Sequence, residues 1–137
     1  MGVMERQCVI LYDPRRDAGK YEIYEPTRKL FAAQAHAVRG ILTVLNERGE
    51  RRQPILVGEI GVGKSSVALV AARSHGAKRV LIFCPPHLLD SWRNEVAAVF
   101  PDADYRVLQS ISDVDAVRDA DPNRFLVAVV SRETAKL

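Results

Sequence analysis

At 137 residues, 47% hydrophobic and 27% charged, the chain is one domain's worth and can bury a core of ordinary size. No apolar run approaches the roughly 18 to 20 residues that cross a bilayer, and Met1 to Gln7 lacks the basic start and apolar middle of a secretion signal, so the expectation is a cytoplasmic chain with no membrane partner. The net charge of +3 lies wholly upstream of residue 54, where ten Lys/Arg face seven Asp/Glu; that is compatible with a polyanion partner but too small to argue for one.

In chain order, Gln7-Cys8-Val9-Ile10-Leu11-Tyr12 and Lys20-Tyr21-Glu22-Ile23-Tyr24 read as two strands around the turn-rich Asp13 to Gly19. They predict a β-hairpin within an N-terminal extension, residues 1–25, ahead of a main domain over 26–137. Pro26 suits the first turn of a helix, and Leu30, Phe31, Gln34, Val38, Ile41, Leu42 and Leu45 then recur at helical spacing until Gly49. Gly40 in the middle of that helix costs about 1 kcal/mol relative to alanine, which leads one to expect close packing there. Residues 47–53 form a polar loop.

The run Gln53-Pro54-Ile55-Leu56-Val57-Gly58-Glu59-Ile60-Gly61-Val62-Gly63-Lys64-Ser65-Ser66 reads as a short buried strand, a glycine-rich turn and the first turn of a helix. It fits the phosphate-loop pattern Gly-x-x-x-x-Gly-Lys-Ser/Thr at Gly58 to Ser65. A polyphosphate needs several backbone N–H groups converging on it, and Gly58, Gly61 and Gly63 let the main chain wrap that closely. A helix starting near Gly63 would aim the positive end of its dipole at the phosphates. Lys64 would reach the β and γ groups, and the Ser65 hydroxyl would sit on Mg²⁺. The backbone from Gly58 through Glu59, Ile60, Gly61, Val62 and Gly63 to Ser65 and Ser66 is thus the candidate cradle.

Val67 to Ala72 continues as a buried helix that Ser74-His75-Gly76 closes with a glycine. Val80 to Cys84 is an uninterrupted apolar run, the pattern of a strand covered on both faces, and Pro85-Pro86 ends it. Leu88, Leu89, Trp92, Val96, Val99 and Phe100 make one helical stripe terminated by Pro101. Tyr105 to Leu108 is a short strand, Ser112 with Asp115 suggests a capping box for a small helix through Ala120, and Phe125 to Val130 is a further buried strand. Strands alternating with helices predict an α/β layer structure with a mainly parallel sheet. Cys8 and Cys84 lie in apolar runs and are expected to be buried, reduced thiols; His36, His75 and His87 show no zinc spacing.

Three stretches in order resemble the first half of a superfamily 2 helicase-like ATPase, nearest to the Swi/Snf-type translocases and also similar to DEAD-like helicase ATP-binding domains. The phosphate loop with Glu59 resembles motif I. Val80 to Glu95 is similar to motif Ia, an apolar strand followed by Pro-x-x-Leu-x-x-Trp-x-x-Glu, with Pro86, Leu89, Trp92 and Glu95 at those positions. Val129-Val130-Ser131-Arg132-Glu133-Thr134 looks like motif Ib, and Leu30 to Gln34 resembles the glutamine motif. Arg132 departs from the family, where many members carry an aromatic.

The resemblance implies a phosphate-loop NTPase of RecA-like three-layer architecture, with ATP and Mg²⁺ as cofactors and a nucleic-acid partner, DNA ahead of RNA. It implies that Gln34 reads the adenine edge, that Lys64 is catalytic and that Ser65 holds the metal. It further implies that Pro85, Pro86 and His87, with Ser131, Arg132 and Thr134, grip the nucleic-acid backbone. Members place an Asp-Glu pair on a later strand and arginine fingers on a second lobe; neither is present, and neither Asp13 nor Glu133 reads as a substitute. The expectation is therefore an incomplete first lobe, the N-terminal part of a translocase or helicase. Its catalytic competence would depend on the remainder of that lobe and a second RecA-like lobe. The alternatives are another phosphate-loop enzyme, such as an AAA-type ATPase or small-molecule kinase, and a non-catalytic nucleotide-binding module.

Overall fold

In the computed structural model, which describes residues 11–47 and 53–136, helices pack on a small parallel sheet. The elements are a single turn α1 (Pro14–Asp17), α2 (Ala32–Glu47), α3 (Lys64–Ser74), β1 (Arg79–Cys84), α4 (Leu89–Val99), β2 (Asp104–Leu108), α5 (Ile111–Arg118) and β3 (Leu126–Ser131). The three strands are all parallel in the order β1-β3-β2, with Cys84 opposite Ser131 and Leu108 opposite Val130. The fold is therefore mixed α/β, as the alternation predicts. Every residue of β3 is buried because it is the central strand, and its continuous Leu-Val-Ala-Val-Val run is the sequence form of that position.

The core is built from Val38 and Leu42 of α2, Val67, Leu69, Val70 and Ala71 of α3, Val96 and Val99 of α4, and the inward residues of the sheet. Phe100 and Phe125 close its lower end edge to face, with centroids 5.5 Å apart. Arg73, in the last turn of α3, lies 3.9 Å from the Tyr24 ring centroid and 4.5 Å from that of Phe100, and forks onto Asp102 at 3.0 and 2.6 Å. The α3 terminus is a Schellman turn: Gly76 has φ 93°, its N–H donates to Arg73 O at 3.0 Å, and the Ala77 N–H donates to Ala72 O at 3.1 Å.

Several sequence expectations are corrected. Lys20 to Tyr24 forms no strand: Tyr21 and Ile23 pack against the core, and the Tyr24 N–H donates to Ser74 Oγ at 2.9 Å, so a helix end takes the place of a partner strand. The expected turn contains α1, where Asp13 accepts from the Arg15 N–H at 2.8 Å. The other half of the expected hairpin, including Cys8, falls mostly outside the described residues, as does the Gly49 stop. The helix after Pro26 begins only at Ala32, because the preceding backbone is held elsewhere: the Thr27 N–H donates to Val99 O at 3.0 Å. The capping box belongs to Ser110 and Asp113, two residues earlier than read, with the Ser110 N–H donating to Asp113 Oδ2 at 2.8 Å.

The expected strand before the glycine-rich turn is not formed among the described residues, and Ile55 and Val57 are each 87% exposed, not buried. β1 is likewise covered on one face only, since Leu81 and Phe83 are 52% and 60% exposed while Val80, Ile82 and Cys84 turn to the core. Burial pushes the Cys84 thiol pKa up, as expected of a reduced core cysteine. No described helix is long and apolar enough to cross a membrane.

Candidate functional site

The loop from Gly58 to Gly63 runs into α3, and Gly63 is the helix N-cap with φ 80°. A left-handed residue at that point is what only glycine adopts without strain. Gly61 has φ 87°, so the turn uses two such positions within three residues. Gly63 is also pressed from outside: a Cβ added there would lie 2.3 Å from Gln34 Nε2. The N-cap offers no side-chain hydrogen bond, so the first N–H groups of α3 have no side-chain acceptor from the cap.

Lys64 Nζ is folded back over the loop, donating to Gly58 O at 2.8 Å and Glu59 O at 2.6 Å. Both acceptors are carbonyls of the loop itself. The ammonium is thus held over the turn by neutral groups that an anionic ligand would outcompete. Gln34, in the first turn of α2, bridges into the same region: its Nε2 donates to Val62 O at 3.0 Å and its Oε1 accepts from the Phe31 N–H at 2.9 Å. Each half of the amide thus has one partner within the chain, and its second N–H and second carbonyl lone pair remain for another.

Lys64, Ser65, Gln34, the exposed Phe31, Arg28 and Glu95 are among the residues that line one cavity of about 550 Å³. That volume lies within the range of small-molecule sites. Ser66, the last residue of the expected cradle, is buried and turned away from the loop: its Oγ accepts from Arg28 Nη2 at 2.6 Å and donates to Glu95 Oε1. Arg28 also pairs directly with Glu95. Glu95 is the single carboxylate among the lining residues of the cavity. Asp13 caps α1 and Glu133 is exposed beyond β3, and neither lines it.

The residues expected to contact nucleic acid fall on two neighbouring loops at the C-terminal ends of β1 and β3. Pro86 starts a 3₁₀ turn, Pro86–Leu88, and the Arg132 N–H donates to Cys84 O at 3.1 Å, which ties the second loop to the first strand. Pro86, His87 and Arg132 are exposed, and Pro85 and Thr134 are half-buried. Ser131 is buried, its Oγ accepting from the Thr134 N–H at 3.1 Å and lying 2.9 Å from Thr134 Oγ1, so it braces the turn and does not face solvent. Trp92 packs against the core, and Leu89 O accepts from the Tyr105 hydroxyl at 2.7 Å.

Sequence reasoning missed Arg28 altogether and gave Glu95 no place in the site. The spacing of Glu95 one turn after Trp92 was the available signal, because it places the carboxylate on the flank of a stripe that faces α3. Nothing in the sequence around Arg28 distinguishes it from neighbouring charges. No protein-family model matches the chain, and no curated protein shows significant similarity to it.

Proposed function

We propose that this chain is the nucleotide-binding part of a phosphate-loop NTPase of RecA-like architecture, of the kind that couples ATP hydrolysis to movement on nucleic acid. The observation that carries this reading is the junction of loop and helix. Two left-handed glycines deliver the chain into the N-terminus of an eleven-residue helix, with Lys64 poised over the turn and a cavity of about 550 Å³ beside it. The residues fit a magnesium-bound nucleoside triphosphate. The left-handed φ at Gly63 suits a residue without a side chain, Lys64 supplies the cation, and the half-buried Ser65 supplies a hydroxyl for the metal.

Ser65 would hold magnesium, which would supply neutralisation of phosphate charge. The chain's own residues do the rest of the binding. Lys64 leaves its two loop carbonyls for phosphate oxygens, the N–H groups of Gly63 to Ser65 donate along the helix axis, and Gln34 offers its remaining N–H and carbonyl lone pair to the base. The paired loops after β1 and β3 form an exposed edge with His87 and Arg132 for a phosphate backbone, and DNA is the proposed partner ahead of RNA.

Hydrolysis is a separate matter from binding. Glu95 is the single carboxylate among the described residues that line the cavity, and no second acidic residue stands with it there to hold a metal and position water. The 137-residue chain is therefore proposed to bind nucleotide without turnover, and full activity to reside in a larger assembly of lobes. Calorimetry with Mg-ATP tests the reading: weak saturable binding is expected, lost by at least tenfold in Lys64→Ala. Equal affinity in the two proteins, or no binding by folded wild type, overturns it.

A further inference from the structure

Arg28 from the segment before α2, Ser66 from α3 and Glu95 from α4 form a closed ring of hydrogen bonds. Arg28 Nη2 donates to Ser66 Oγ at 2.6 Å and to Glu95 Oε1, and Ser66 Oγ donates to the same carboxylate oxygen. Ser66 is only 3% exposed and immediately follows Ser65, so the ring is anchored in the first turn of α3. Arg28 and Glu95 both line the cavity that holds Lys64 and Ser65, and the guanidinium side chain is 49% exposed against 21% for the carboxylate. Among the described residues, the Nε and Nη1 of Arg28 meet no protein acceptor, which leaves a half-exposed fork with donors to spare beside the loop.

Two opposite charges at the rim of an anion site do not act alike on the ligand. A carboxylate there repels phosphate and, by pairing with the arginine, also withholds the neighbouring cation. We infer that Arg28 is a second phosphate-binding cation of this site and that Glu95 is its built-in competitor, a positioning residue that phosphate must displace. This rests on the nucleotide-binding reading above and adds to it a regulated contact. Glu95 sits on α4, the helix that follows the 3₁₀ turn Pro86–Leu88 of the first proposed nucleic-acid loop.

The two partners have opposite predicted effects, which no purely structural role gives. In Glu95→Gln the shape and the Ser66 bond are kept while the repelling charge goes, so ATP binds tighter, on the order of fivefold for a partly exposed pair. In Arg28→Gln the carboxylate is left without its cation, and ATP binds weaker by a similar factor of about five. Arg28→Lys keeps the charge without the fork and recovers part of the loss. Titrations of the 137-residue chain with ATP and with AMP, each in the presence of magnesium, read this directly. ATP affinity should move in opposite directions in the two Gln variants, and AMP affinity should stay within about twofold of wild type because few phosphate charges remain. If both variants shift ATP affinity the same way, or neither does, or AMP responds as strongly as ATP, the inference is wrong; with Lys64→Ala still abolishing binding, the nucleotide reading survives it. A folded wild type that binds no ATP removes both.

Discussion

Gly63 is where backbone chemistry most narrowly constrains this molecule. Its φ of 80° alone makes a side chain cost about 1 to 2 kcal/mol, and the new Cβ would also drive Gln34 off Val62 O. Gly63→Ala should lower urea stability by that amount; a change under about 0.3 kcal/mol would count against the loop geometry. Asp17 shows the same logic for charge. The Arg16 guanidinium forks its carboxylate and the Asp13 N–H donates to it, holding its pKa down to about 2. Since the folded value is depressed, the stabilisation is full above the unfolded pKa near 4 and is lost as pH falls through 2. Asp17→Asn should thus be less stable than wild type at pH 7, the gap closing between pH 4 and 2 in parallel denaturation series. A gap that stays constant across that range contradicts the assignment.

At the scale of elements, Gly40 in α2 invites a correction to sequence logic. Its cost in a helix suggested tight packing, yet a Cβ there would meet only Tyr12 Cδ1 at 3.8 Å, ordinary contact. Gly40→Ala should raise stability by about 0.5 to 1 kcal/mol in chemical denaturation; destabilisation would mean that the Tyr12 contact is tighter than described. The elements whose signals are local were legible from sequence: α3 with its glycine closure, α4 with its single apolar stripe, and β3 with its unbroken β-branched run. The errors arose where a segment's partner is remote in sequence. Lys20 to Tyr24 has a good strand composition, but Ser74 and the Arg73 stack claim its backbone and its ring. Leu30 and Phe31 have helical spacing, but the Thr27 bond to Val99 delays the helix to Ala32. The candidate site divides the same way. Gly58 to Ser65 is contiguous and could be read off the chain, whereas Arg28 and Glu95 are separated by 67 positions and meet where the segment before α2 is bonded to α4 through the Thr27 N–H and Val99 O.

For the whole molecule, the arrangement of uncovered apolar surface follows from topology. The sheet has β3 at its centre, so β3 is buried throughout, while β1 presents Leu81 and Phe83 outward and the stretch before the loop presents Ile55 and Val57. Composition reported these residues as core because hydrophobicity says that a strand wants burial without saying what supplies it. The candidate contact edge is arranged differently: the loops after β1 and β3 adjoin through parallel register, and α4 leads from the first of them to the Arg28–Ser66–Glu95 ring beside the glycine-rich turn. A backbone amide NMR titration of the 137-residue chain with Mg-ATP tests whether the turn from Gly58 to Ser65 binds a magnesium-bound polyphosphate. The largest shifts should fall on Gly61, Gly63, Lys64 and Ser65, and they should vanish in Lys64→Ala. Shifts confined to other surfaces, such as the apolar cleft of Leu108, Ile111 and Val130, or none at millimolar nucleotide, would contradict it.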